Sequence, residues 1–197
     1  QRQGRLDEAM AAYEAALAIH RELTQRRREG VTLAAIGTLH GIRGRSEDAR
    51  AAFEAAAAIY REVGDRRLEA NAFNNLGILD VQLGRPEAGI ARFEVALKIQ
   101  REVGNRRAEG IALGNIGEVL VQIRHFDRAR TTLEHAVVVS GEAGHALVQA
   151  NSIAALAELD ALDGHLELAE RGLRRAAELL EATHNTLALG LLSCRRG

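Results

Sequence analysis

The sequence predicts an all-α fold, an α-solenoid of antiparallel helix hairpins with about ten helices. Composition is the first observation behind this. Hydrophobic residues make up 47% of the 197 positions, yet aromatics only 3%, with two Tyr, four Phe and no Trp. The apolar content is therefore mostly Ala, Leu, Ile and Val, which favours close helix packing over a sheet sandwich. A single proline leaves long helices unbroken. The deciding observation is internal repetition, which sets the architecture before any local reading. Gly44–Leu83 laid over Gly84–Ile123 gives 20 identities in 40 positions. They include Gly44/Gly84, Phe53/Phe93, Ile59/Ile99, Asn75/Asn115 and Gly77/Gly117, with Arg61-Glu62-Val63-Gly64 returning as Arg101-Glu102-Val103-Gly104. The register runs back to Gly4, Tyr13, Ala16 and Ile19, and forward through Ala129, Leu133 and Ala136 to Gly164, Leu173 and Ala176.

Each period holds two helices. The chain opens with an incomplete unit at 1–24, the second helix of a pair. Hairpins are expected at about 27–63, 66–103, 106–143 and 146–183, and an incomplete unit at 185–197 aligns with the start of another first helix. Gly84 and Gly104 fall just past helix ends, where a left-handed residue without a Cβ is favoured. Pro86 falls at a helix start, where its missing N–H costs nothing. Asp65 and Asn105 stand where a side chain caps the next helix. Phe73, Leu76, Leu79 and Leu83 form one apolar stripe of a first helix; Ala88, Phe93, Ala96, Leu97 and Ile99 form one stripe of the second. Small residues recur at Gly37, Gly77, Gly117 and Ala157, and at Ala16, Ala56, Ala96, Ala136 and Ala176. They let helix axes approach while Tyr13, Phe53, Phe93 or Leu133 fills the adjacent space.

These residues resemble the tetratricopeptide repeat family. Its hairpin carries a large residue and Leu-Gly in the first helix, then Ala, an aromatic and Ala in the second. Phe73, Leu76-Gly77, Gly89 (normally Ala), Phe93 and Ala96 stand at those positions. The period of 40 rather than 34 is similar to the longer-helix branch found in kinesin light chains and bacterial regulatory proteins. The sequence departs from the pattern late in the first helix, where an expected aromatic is His40, Asp80, Leu120 or Asp160. The resemblance implies a right-handed superhelix whose first helices line a concave, peptide-binding side.

A helical wheel then selects the side chains facing away from the apolar stripe. For one first helix these are Arg67, Asn71, Asn74, Asn75, Ile78 and Gln82; for the next, Arg107, Ile111, Asn115, Glu118 and Gln122. The last hairpin offers Asn151 and Glu158. Amides donate and accept, so an Asn ladder suits an extended peptide backbone without dictating its sequence. Arginines along one edge suit a carboxylate. Two alternatives stay open. Arg67 and Arg107 can instead form surface ion pairs with Glu62, Glu102 or a neighbouring repeat, and this is the favoured reading for them. Asn75 and Asn115 can instead form inter-repeat hydrogen bonds, although the resemblance favours a groove role.

Other function classes find little support. Acidic residues number 27 and basic ones 26, a net charge of −1, unlike a general nucleic-acid binder. The one cysteine, Cys194, excludes an internal disulfide and a Cys-based zinc site, and a reducing, cytoplasmic setting is the plain reading. The longest run without charge, Ala143–Ala157, is too short and polar for a membrane span. No two of the seven histidines lie at i+3 or i+4, so no metal site is expected. No phosphate loop, HExxH or G-x-S-x-G occurs, and no catalytic residue or cofactor is expected. The expectation is a single repeat array over 1–197, cut from a longer protein, acting as a non-enzymatic scaffold for a protein or peptide ligand. No nucleic acid or membrane partner is expected, and self-association through the uncapped array ends is the competing account of those ends. The alternative function is a cis-acting sensory or regulatory segment of a larger bacterial signalling protein, such as a kinase, ATPase or transcription regulator.

Overall fold

The computed structural model describes residues 2–182. Within them nine α-helices follow one another: α1 Arg2–Glu22, α2 Arg26–Ile42, α3 Ser46–Glu62, α4 Arg66–Gln82, α5 Pro86–Glu102, α6 Arg106–Gln122, α7 Phe126–Glu142, α8 Ala146–Leu162 and α9 Leu166–Glu181. No strand occurs among the described residues. The further helix expected within 185–197 lies outside them.

The joints explain the even helix lengths. Each consists of three residues, and each holds one residue in the left-handed region. At Gly44, Gly64, Gly84, Gly104, Gly144 and Gly164 φ lies between 64° and 81°. Gly64 shows the bonding. Its N–H donates to the Arg61 carbonyl at 3.2 Å while the Asp65 N–H donates to the Tyr60 carbonyl at 2.8 Å, a Schellman closure that satisfies two end carbonyls. Thr24 (φ 52°) and Arg124 (φ 62°) take the same role without being glycine. Asp65 and Asn105 cap as expected, accepting from the N–H groups of Leu68 at 3.1 Å and Ala108 at 3.3 Å.

Two compact units divide the chain, Gln1–Ile99 and Gln100–Gly197. In the first, α1 packs on α2, α2 on α3 and α3 on α4. Its core joins Phe53, Phe73, Leu76, Leu79, Ala96 and Ile99 in one cluster and Leu33, Ala56, Ile59, Tyr60 and Ala72 in another. In the second, α6 packs on α7, α7 on α8 and α8 on α9, with α6 also touching α8. Ala150, Ile153, Ala154, Ala176 and Leu180 form its core around α8 and α9.

The glycines inside the first helices make room for large side chains of the second helices. A Cβ on Gly37 would stand 2.9 Å from the Phe53 ring, one on Gly77 2.5 Å from Phe93, and one on Gly117 2.5 Å from Leu133. Tyr13 departs from this pattern. It is 39% exposed. Of the stripe expected on α5, Phe93, Ala96, Leu97 and Ile99 are buried, whereas Ala88 is exposed and Gly89 and Ile90 beside it are buried instead.

A second periodic feature is ionic. Glu29, Glu69 and Glu109 are buried on successive first helices, and each is held by two arginines. Arg21 and Arg26 reach Glu29 at 3.0 and 2.5 Å, and Arg101 and Arg106 reach Glu109 at 2.8 and 2.7 Å. Arg61 reaches Glu69 at 2.8 Å, with Arg66 as the other partner. Burial opposes ionisation of Glu29 and Glu109, but the arginine hydrogen bonds and charges together outweigh it and hold both carboxyl groups below their ordinary 4.5. In the last hairpin all three members change together, to Gly141, Ala146 and Gln149. The neutral Gln149 amide donates to the Val137 carbonyl at 3.4 Å and occupies the space that a side chain on Gly141 would need.

Candidate functional site

The wheel positions of each unit lie on its first helices, because the second helices and the ring-filling residues take the opposite face. In the first unit, Arg67, Asn71, Ile78 and Gln82 of α4 are exposed, and Asn74 and Asn75 are half-buried. On α2 the corresponding face shows Val31, Thr38 and Ile42, all exposed. In the second unit, Arg107 and Gln122 of α6 are exposed, while Ile111, Asn115 and Glu118 are half-buried; Asn151 and Glu158 of α8 are exposed.

The first unit brings three of these residues to one place. A cavity of about 280 Å³ is lined by Asn75, Ile78, Leu79 and Gln82 from α4, by Gly37, Thr38, Gly41 and Ile42 from α2, and by Phe53 beneath. Arg67, Asn71 and Asn74 do not line it. Thr38 donates its hydroxyl hydrogen to the Ala34 carbonyl at 3.1 Å, leaving its oxygen lone pairs toward other donors. Asn71, Asn74, Asn115 and Glu118 already have interactions within the protein. The Asn75 and Gln82 side chains make no hydrogen bond among the described residues. The two asparagines that align in sequence therefore differ in state: Asn75 is at a cavity with its amide unengaged, and Asn115 is engaged.

The arginines also differ from expectation. Glu62 is taken by Arg26, which donates to both carboxylate oxygens at 3.1 and 2.6 Å, and Glu142 is taken by Arg106. The residue one further on has another partner, Arg27 bonding Asp65 at 2.8 Å. Two repeats further on, in the second unit, the positions equivalent to Arg27 and Asp65 are Arg107 and His145. Burial first, then the charge of Arg107, pushes the His145 imidazole below its usual range, so it is neutral near pH 7. Tyr60, under Gly30 in the first unit, is pushed up to about 12 by burial and then by the Asp65 charge.

Asp80 and Asp160 have structural partners. Arg50 reaches Asp80 at 2.7 Å, with Arg92 at 3.8 Å, and Arg130 reaches Asp160 at 2.7 Å and Asp163 at 2.9 Å. Among the described residues no group of three or more His, Cys, Asp or Glu side chains is placed to share a metal ion. No described helix is long and apolar enough to cross a membrane.

A tetratricopeptide repeat model matches residues 1–62 and 68–139. The chain belongs to the tetratricopeptide repeat family. No curated protein matches it significantly. Several solved structures share the tetratricopeptide fold at low identity. BtubC (BKLC) from P. vanneervenii is 21% identical with a TM-score of 0.81, over 93% of this chain and 76% of that one. Aspartyl phosphate phosphatase F from Bacillus subtilis is 12% identical with a TM-score of 0.87, over 98% of this chain and 52% of that one. A Rap protein in complex with Competence and Sporulation Factor is 18% identical with a TM-score of 0.70, over 94% of this chain and 56% of that one. This tetratricopeptide array thus spans little more than half of the latter two. At these identities the likeness is one of fold.

Proposed function

We propose that this tetratricopeptide array is a non-enzymatic, cytoplasmic protein-interaction scaffold that takes a peptide segment of another protein on the face made by its first helices. The cavity bounded by Asn75, Ile78 and Gln82, with the Asn75 amide unengaged among the described residues, is the observation that carries this reading. A preformed face of this kind orders little on the protein's side when it binds, which favours affinity. The Rap complex supports it by analogy of fold. Arg67, Asn71 and Asn74 complete the proposed surface of the first unit, and Arg107, Ile111, Asn115, Glu118, Gln122, Asn151 and Glu158 are the proposed surface of the second.

The test is paired affinity capture from host lysate with the native chain and with Asn75→Ala and Asn115→Ala singly and together, each checked by circular dichroism. A protein retained by the native chain and lost with Asn75→Ala supports the reading; equal capture by all four baits sinks it. Because Asn115 is already engaged, its replacement is expected to matter less than that of Asn75. A second reading is a cis-acting regulatory segment of a larger signalling protein. It predicts that the parent polypeptide's own flanking domain, and no separate protein, protects this face from chemical labelling.

A further inference from the structure

One local change in the repeat borders the cavity of the first unit. Residue 41 is the last turn of α2, and its equivalents in the later first helices are Val81, Val121 and Ala161. At Gly41 a Cβ would meet nothing within 4 Å. Gly41 and Gly37, the latter required by the Phe53 ring, line the cavity without contributing a side chain to it. Glycine is unfavourable inside a helix by roughly 0.5–1 kcal/mol relative to alanine, so this position gains nothing in stability from being empty.

We propose that this cavity is a specificity pocket for one large, uncharged apolar side chain, leucine- or phenylalanine-like, of a peptide segment, with the Asn75 and Gln82 amides holding the flanking backbone. The inference rests on the peptide-binding reading and adds the chemistry of its anchor. Size is the first argument. At about 280 Å³ the cavity has room for a large side chain together with adjoining backbone, since a cavity of roughly 150 Å³ already admits a benzene ring. Charge is the second. None of the nine lining residues is charged, in a protein where 27% of residues are, so an ionised side chain entering it would lose water without gaining a counter-charge. The arrangement is the third. Phe53, Leu79, Ile42 and Ile78 supply the apolar surface, and Ile78 remains 40% exposed in the free protein. Asn75, Gln82 and Thr38 add donors and acceptors to the same lining, matching a peptide backbone rather than a wholly apolar guest.

The test uses peptides selected on the native chain from a random twelve-residue display library, with affinities measured on the native chain and three variants. Gly41→Leu fills the cavity from a position with free space, so its melting temperature is expected to match or exceed the native value. The proposal expects selected peptides to share one Leu, Phe or Met position, and Gly41→Leu to weaken them at least tenfold. Ile78→Ala, which enlarges the pocket, is expected to shift selection toward Trp or Phe, a change of preference that misfolding does not produce. Peptides weakened by Asn75→Ala but bound equally by Gly41→Leu would overturn the pocket while leaving the peptide-binding reading in place. Peptides indifferent to every variant, or no selected peptide at all, would overturn both.

Discussion

Thr24 and Arg124 show how much a single backbone position is worth. Six of the eight joints place glycine in the left-handed region, and these two do not. A residue with a Cβ loses about 1–2 kcal/mol there, against roughly 0.5–1 kcal/mol of chain entropy that glycine forfeits. Thr24→Gly is therefore expected to stabilise the protein by about 0.5–1 kcal/mol, read from a urea melt. The gain at Arg124→Gly should be smaller, because Arg124 lies 5.8 Å from the Phe126 ring centre and that contact is lost. Core positions act in the opposite direction. Phe93, only 2% exposed and seated over Gly77, should cost about 3–5 kcal/mol when cut to alanine. Gly77→Leu should be comparably harmful by overpacking, since even its Cβ would reach 2.5 Å from that ring.

Between elements, the ion pairs set which changes can be made singly. The Asp80 carboxylate is 3% exposed against Arg50. Asp80→Ala leaves the guanidinium partly buried without its main partner and should cost about 3–5 kcal/mol. One repeat further on, the positions equivalent to Arg50 and Asp80 are Ile90 and Leu120. The double change Arg50→Ile with Asp80→Leu is accordingly expected to recover most of that loss, and a double-mutant cycle by urea denaturation checks it. A cycle showing simple addition of two losses would mean the pair is not a unit. Glu109 belongs to the same class: Glu109→Gln removes two charge-assisted bonds and should cost about 1.5–3 kcal/mol.

For the molecule as a whole, the glutamates link stability to pH. The folded values of Glu29 and Glu109 lie below the ordinary 4.5, so their contribution is complete above that pH and is lost as pH falls through the lower folded values. Thermal stability should decline below about pH 4.5, and less steeply in Glu109→Gln, as differential scanning calorimetry at stepped pH would show. Repeat architecture also localises damage, since each hairpin is supported chiefly by its neighbours. Phe53→Ala should speed hydrogen exchange in α2, α3 and α4 while leaving α8 and α9 near their native rates.

The period of 40 residues, the helix pairs, the glycine joints and the Asp65 and Asn105 caps were legible in the sequence because each is a local or register property: a backbone angle, an orphan N–H, a repeated spacing. Asn75, Ile78 and Gln82 were legible as a face for the same reason. What the wheel had no means of separating was Asn75 from Asn115, or Arg26 from Arg27, because those distinctions depend on which neighbour arrives across a helix interface. The Glu29, Glu69 and Glu109 series had a sequence signal, an acid returning at the repeat spacing with arginines eight before and three before it, but helical patterning treats charge as surface. The cavity over Phe53 likewise required the tertiary structure. A glycine at 41 reads as a weak helix residue until three-dimensional packing shows that nothing fills the space its side chain would have taken.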